Sequence, residues 1–480
     1  MIAASVIARR TPFCFLVIIL LRITTIRGLS VPNKNMASRR MVLILSGPTA
    51  VGKSAIAAQI CQQIGGLIVS ADSVQAYREV QIGANKPTRE ERLETPHLLV
   101  DVVDGDIPYN AAEWTRDAHF CIQQLLQNES LPRNEKKDGV DSEENVEQKR
   151  RKEIEQSIHD ARQLKNLTGP VTPVVVGGTM MYLKWLVHGR PDAIPPTSEA
   201  IAQAVSILEP YIATGDWSGA VEHVQSKYGE PFATQAAKLS FNDWYRLRRV
   251  LEVAFTEGDD AGRSTFSGER QGGLLDLYED VRCFFLCPND RYAHAHLIDD
   301  RCEQMIQKGL LSETADLNLP DMVRKAIGYR QTLDFLCSDE PSFDNYLTEF
   351  QGATRRYAKR QMQWFRKDPE FFFVPVQLDD KDRIEKATEQ VMKLIRMSRS
   401  EYDQMLAAKE KLNHQTRTMN EEQAKTMKTF QTKITRLIPG SNERLRVMEE
   451  ASACIARFQK SNRKGTEPLS YKRPNAEISE

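Results

Sequence analysis

From Met41 onward, short apolar runs alternate with stretches of helical spacing. Met41-Val42-Leu43-Ile44-Leu45-Ser46 is an unbroken apolar run ending before a glycine, as expected of a strand buried on both faces. Residues 55–64 carry the small and apolar side chains of a helix packed on a sheet, and Gly65-Gly66 stops it. Leu67-Ile68-Val69-Ser70 begins a second strand, 97–103 reads as a third and Pro173-Val174-Val175-Val176 as a fourth. Phe284-Phe285-Leu286 marks a later one. Strands separated by helical stretches predict an α/β fold, a parallel sheet with helices on both faces.

The pattern changes in four places. Residues 127–165 are highly charged with few apolar positions, which predicts a solvated helix or a disordered insertion. Residues 191–273 turn helical, with Trp217, Trp244 and Tyr245 available for packing, and read as a helical subdomain inserted in a sheet domain spanning 37–375. After Val376 the chain is rich in Lys, Glu and Gln at helical spacing, and beyond Pro439 it is expected to lose structure, giving a charged tail over 376–480. The first 71 residues hold no Asp or Glu, and residues 13–21 form an apolar segment flanked by arginines. That segment is too short to cross a ~30 Å hydrocarbon layer. It suits a cleavable leader over residues 1–36, an organelle transit sequence or a signal peptide, with a membrane anchor as the alternative. The favoured expectation is import into a mitochondrion or plastid and no stable membrane insertion of the mature protein. A start at Met36 or Met41 would give a cytoplasmic form.

Composition adds limits. The 480 residues are 41% hydrophobic and 27% charged, ordinary for a globular protein, with a net charge of zero. Nucleic-acid binding would therefore depend on local basic patches. Eight scattered cysteines read as free thiols rather than a disulfide framework. Cys283 and Cys287 read as strand residues, and no second Cys/His pair with matching spacing accompanies them for zinc.

Gly47-Pro48-Thr49-Ala50-Val51-Gly52-Lys53-Ser54 fits G-x-x-x-x-G-K-[ST] between an apolar strand and a helix. The glycines let backbone N–H groups turn around phosphate oxygens, Lys53 adds a point charge, and the Ser54 hydroxyl can ligate Mg²⁺. This P-loop makes the expected sheet NTPase-like but does not separate an NTPase, a kinase or a transferase that uses a diphosphate. Asp72 follows the second strand, where a carboxylate lies over the ligand crevice of an open α/β sheet. It could hold Mg²⁺, accept a proton from a nucleophile, or simply cap a helix.

Four ordered motifs narrow the choice: G-P-T-A-x-G-K-S at 47–54, A-D-S-x-Q-x-Y-R at 71–78, V-V-G-G-T-x-x-Y-L at 175–183, and A-I-G-Y-R-Q at 326–331. Together they resemble the tRNA dimethylallyltransferase (isopentenyltransferase) family over about 41–374. The resemblance implies transfer of a dimethylallyl group from dimethylallyl diphosphate, with Mg²⁺, to N6 of the adenine immediately 3′ of the anticodon. It implies Asp72 as general base, Thr49 near the reacting centre, and Arg301 as a diphosphate clamp beside Gly47, Ala50, Val51, Gly52, Lys53 and Ser54. An ion pair on the helix surface is the alternative for Arg301. Ser73, Gln75 and Thr179 would face the RNA.

Other candidate RNA contacts come from residue chemistry. Arg246 and Arg249 accompany Trp244 and Tyr245. Residues 353–367 carry Arg355, Arg356, Lys359, Arg360, Arg366 and Lys367 with no acid, interleaved with Tyr357, Trp364 and Phe365. Lys325, Gly328, Tyr329, Arg330 and Gln331 complete the expected groove. The chain departs from many eukaryotic relatives in having only Cys454 and His414 after Val376, too few for a C-terminal zinc finger. A monomer is expected. Competing readings are an adenylate isopentenyltransferase acting on free nucleotide, a P-loop kinase or NTPase, and a non-catalytic RNA-binding protein.

Overall fold

The computed structural model describes residues 40–105, 107, 109–127, 146–191, 196–256, 270–408, 427 and 430–464. The expected leader at 1–36 and most of the first half of the charged insertion lie outside them. Six strands form one sheet: β1 Met41–Ser46, β2 Leu67–Ala71, β3 His97–Leu98, β4 Pro173–Gly177, β5 Asp280–Pro288 and β6 Phe371–Val376. Their order is β3-β2-β4-β1-β5-β6, and every pairing is parallel. Parallel strands pack helices on both faces, and β1 shows how. Val42 and Ile44 enter one apolar core, while Met41, Leu43 and Leu45 enter the other. The expected α/β class and its two-sided layering are present.

Helix α1 (Lys53–Ile64) covers the second core with Ile56, Ala57 and Ile60. Helix α2 (Ala111–Leu126) covers the first, where Trp114 stacks on Tyr182 at 4.5 Å and donates to the Ser70 carbonyl at 2.9 Å. The rear of the expected charged insertion is α3 (Val146–Leu164), which buries Arg150, Ile154, Ile158 and Ala161 and so is not a detached solvated element. Arg150 Nε donates to Asp117 Oδ2 at 2.7 Å, and the Tyr109 hydroxyl donates to the same oxygen at 2.9 Å. Removing one member of a buried pair strands the other charge. Asp117→Ala is therefore expected to cost about 3–5 kcal/mol in denaturant unfolding.

Two expectations need correction. The strand expected over 97–103 ends at Leu98, because Leu99 and Asp101 take left-handed φ of 61° and 59°. The turn frees Asp101 to pair with Lys86 and Arg92. The tail is helical in part, as expected, but it packs on the sheet domain, and one of its helices lies beyond Pro439. The helix Arg383–Arg396 packs Ala387, Val391 and Ile395 into the second core. The helix Asn442–Lys464 places Val447, Ala451 and Cys454 in the first. The sheet domain thus continues past residue 375.

Helices Ser198–Thr214, Trp217–Lys227, Phe232–Ala237 and Trp244–Thr256 form a helical unit with its own core around Leu208, Trp217 and Leu251. No helix among the described residues is long and apolar enough to cross a membrane.

Candidate active site

Three adjacent strands, β2, β4 and β1, deliver their carboxyl ends to one edge of the sheet. That edge is where open α/β sheets hold ligands. Gly177 permits the close approach, since a Cβ there would lie 2.1 Å from the Ala71 carbonyl oxygen. The turn after β1 is shaped by left-handed backbone at Ala50 (φ 64°) and Gly52 (φ 101°), followed at once by the N-terminus of α1. Lys53 Nζ donates to the Gly47 and Pro48 carbonyls, each at 2.8 Å. Burial, and then the nearby Arg301 guanidinium, pull its pKa down to about 7, while Asp72 opposes them. Ser54 is exposed just inside the helix.

Asp72 directly follows β2. Its Oδ1 accepts from the Val74 and Gln75 amides at 2.9 and 3.3 Å, so one oxygen organises the turn. Oδ2 takes no hydrogen bond among the described residues. Thr179, after β4, accepts the Ser73 amide at 3.2 Å through Oγ1 and ties the two turns together. Gln75 donates to the Ala84 and Asn85 carbonyls at 3.3 and 3.1 Å and accepts from Ser70, so its side chain supports the cavity wall.

Asp72, Thr49, Ser73, Thr179 and Arg301 line one cavity of about 370 Å³, with Lys325 and Arg360 at it as well. Arg301 comes from the helix Arg291–Gln307. The alternative of a surface ion pair is not realised, because the acids around Arg301 are engaged elsewhere. Asp299 pairs with Arg355, Asp300 with Arg436, and Glu303 accepts the amides of Thr435, Arg436 and Leu437. Two cations, Lys53 and Arg301, thus share the field of the Asp72 carboxylate. The arrangement can take an anionic group beside an acceptor.

A second groove of about 540 Å³ holds Lys325, Arg330, Gln331, Arg356 and Arg360. A third of about 880 Å³ holds Lys184, Arg270, Trp364, Arg366 and Lys367, again with Arg360. Arg360 is common to all three. Lys184 and Arg270 were not legible as candidates, since one follows a glycine turn and the other lies far off in sequence. Lys184 lies 5.2 Å from the Trp364 ring.

Some candidates have other work. Tyr329 is fully buried and donates to Glu313, whose carboxylate accepts the Gln81, Ile82 and Gly83 amides. Its ring is closed to RNA, and it braces the loop that forms the cavity wall. Gly328 is needed for φ 98°, and its amide donates to Gln331 Oε1 at 2.9 Å. Arg246 and Arg249 pair with Asp243 and Glu252 of the helical unit and line none of the three cavities.

Comparison with known proteins identifies the family. The IPP transferase family matches residues 75–132 and 146–368, a span that begins after the phosphate turn and Asp72. The chain is 30% identical over 382 residues to tRNA dimethylallyltransferase 9 of Arabidopsis thaliana, covering 71% of this chain and 73% of that one. It is 27% identical over 357 residues to a tRNA dimethylallyltransferase of Protochlamydia amoebophila, covering 73% and 88%. A solved eukaryotic dimethylallyltransferase acting on tRNA shares the fold, with a TM-score of 0.51 and 21% identity over 77% of this chain and 85% of that one. With the family's sequence pattern running through most of the sheet domain, the chain belongs to the IPP transferase family of prenyl-transferring enzymes.

Proposed function

We propose that this enzyme transfers a dimethylallyl group from dimethylallyl diphosphate to N6 of the adenine 3′-adjacent to the anticodon of a tRNA. The observation that carries the reading is the cavity lined together by Arg301, by Thr49 of the phosphate turn and by Asp72, whose Oδ2 takes no hydrogen bond among the described residues. The diphosphate sits in the turn at 47–54, against Lys53 and Arg301. As the allylic C–O bond breaks, these cations take up the charge on the leaving oxygen. The N6 lone pair attacks the freed carbon, and the proton it sheds passes to Asp72 Oδ2. Mg²⁺ would be held by the Ser54 hydroxyl and would further neutralise the diphosphate charge. Ser54 is exposed at the mouth of the turn, which suits this role.

The basic grooves that meet at Arg360 favour a polyanionic RNA over free nucleotide as acceptor. The adenine must leave its stack to enter the cavity. Incubation with dimethylallyl diphosphate and either an anticodon stem-loop or AMP tests the reading by mass spectrometry. Addition of one isopentenyl unit to the stem-loop adenine supports it, and modification of AMP alone overturns it. Residues 1–36 act as an organelle leader in this reading, and a reporter fused to them that stays wholly cytosolic would contradict that.

Lys53 makes diphosphate binding depend on pH. Its pKa of about 7 leaves the ammonium charged below that value and neutral above it. Affinity is therefore expected to be highest on the acid side and to fall as pH rises, by up to about tenfold per unit. Calorimetry between about pH 7 and 9 checks this, and Lys53→Arg, which stays charged, should flatten the slope.

A further inference from the structure

Thr49 lies in the phosphate turn, yet its peptide is held from outside it. Its amide donates to Gln361 Oε1 at 3.0 Å, and its carbonyl accepts from His294 Nε2 at 2.8 Å. Gln361 is 1% exposed and also donates through Nε2 to the Gly178 carbonyl at 2.9 Å. The Tyr357 hydroxyl donates to that same carbonyl at 3.2 Å. A Cβ on Gly178 would fall 2.2 Å from Gln361 Nε2, so the glycine is what admits the amide. His294 is 6% exposed, and burial above all holds its pKa at about 4, leaving a neutral ring with one N–H to give.

Both polar groups of the Thr49 peptide are thus occupied, and the amide is not free to cradle phosphate. Thr49 nevertheless lines the cavity, and its hydroxyl makes no hydrogen bond among the described residues, so the side chain is the polar group it has left to offer. The two clamping residues sit on helices that also carry cavity residues: His294 shares its helix with Arg301, and Gln361 shares Phe343–Phe365 with Arg356, Tyr357 and Arg360. Resting on the transfer reaction proposed above, we infer that Gln361 and His294 are positioning residues, which fix the Thr49 peptide so that its side chain meets the reacting centre and which join the basic helix to the diphosphate cradle.

The test compares Gln361→Met, close in shape but unable to make either hydrogen bond, with His294→Leu and His294→Gln in the full chain. Hydrogen exchange over the peptide containing Thr49 reads the clamp directly. It is expected to quicken about tenfold in Gln361→Met. Single-turnover transfer should fall about 10²-fold in Gln361→Met and His294→Leu, because small misplacements at a reacting centre are costly. Stem-loop affinity should stay near wild type, the lost buried hydrogen bonds should lower the melting temperature by only a few degrees, and His294→Gln should recover most of the rate. Unchanged exchange overturns the clamp. Faster exchange with an unchanged rate overturns the positioning role. If wild-type protein transfers nothing, the reaction assignment falls while the exchange rates still decide the clamp.

Discussion

Asp72→Asn is expected to lower turnover by about 10²–10⁴-fold while leaving diphosphate binding in place. The two oxygens of Asp72 do different things. Oδ1 accepts the Val74 and Gln75 amides, and an asparagine oxygen can do the same. In the proposed reaction Oδ2 is the proton acceptor, and the asparagine NH₂ that replaces it accepts no proton. Asn therefore separates chemistry from turn geometry better than Asp72→Ala, which would also release two amides. Single-turnover rates with an anticodon stem-loop, beside calorimetry of diphosphate binding, make the comparison. Near-normal turnover in Asp72→Asn would remove this carboxylate from the base role.

Arg301→Ala should lose about 10²–10³-fold in kcat/KM, the scale for removing one preorganised donor to a developing anion. Arg301 makes no hydrogen bond among the described residues, because its acidic neighbours are engaged by Arg355, Arg436 and the backbone at 435–437. The loss should thus appear at the diphosphate rather than in stability. A second effect goes with it. Arg301 helps depress the Lys53 pKa, so its removal lets that pKa rise. The pH at which diphosphate binding begins to weaken should then move upward, and titration of the variant beside wild type would show it. A variant with unchanged kcat/KM would exclude Arg301 from the clamp.

Much of the sheet was legible along the chain. β1, β2 and β4 are apolar runs ending at glycine or small polar residues, and a buried parallel strand needs little more. β6 was missed because Pro375 interrupts an aromatic run, a position tolerable on an edge strand. β3 was drawn too long because apolar content at 99–103 says nothing about the sign of φ. The final helix was missed because its buried residues, Val447, Ala451 and Cys454, are spread among many charged ones.

The candidate site divides along the same line. Asp72, Thr49, Thr179, Lys325, Arg301 and Arg360 were named from motifs, from a basic stretch and, for Arg301, from the family resemblance, and they meet at one cavity. Gln361 and His294 were not, since a glutamine in a basic helix carries no signal of the carbonyl it will reach 183 positions away.

Local chemistry in the sequence determined the phosphate turn, the acid after the second strand and the alternation that makes a two-faced sheet, because each depends on neighbours within a few residues. Tertiary structure decided which arginines are free and which are spent. Charge on a side chain is a sequence property, but its availability depends on where folding puts it: Arg301 lines the cavity with its neighbouring acids engaged elsewhere, while Arg249 pairs with Glu252 and lines none of the three cavities.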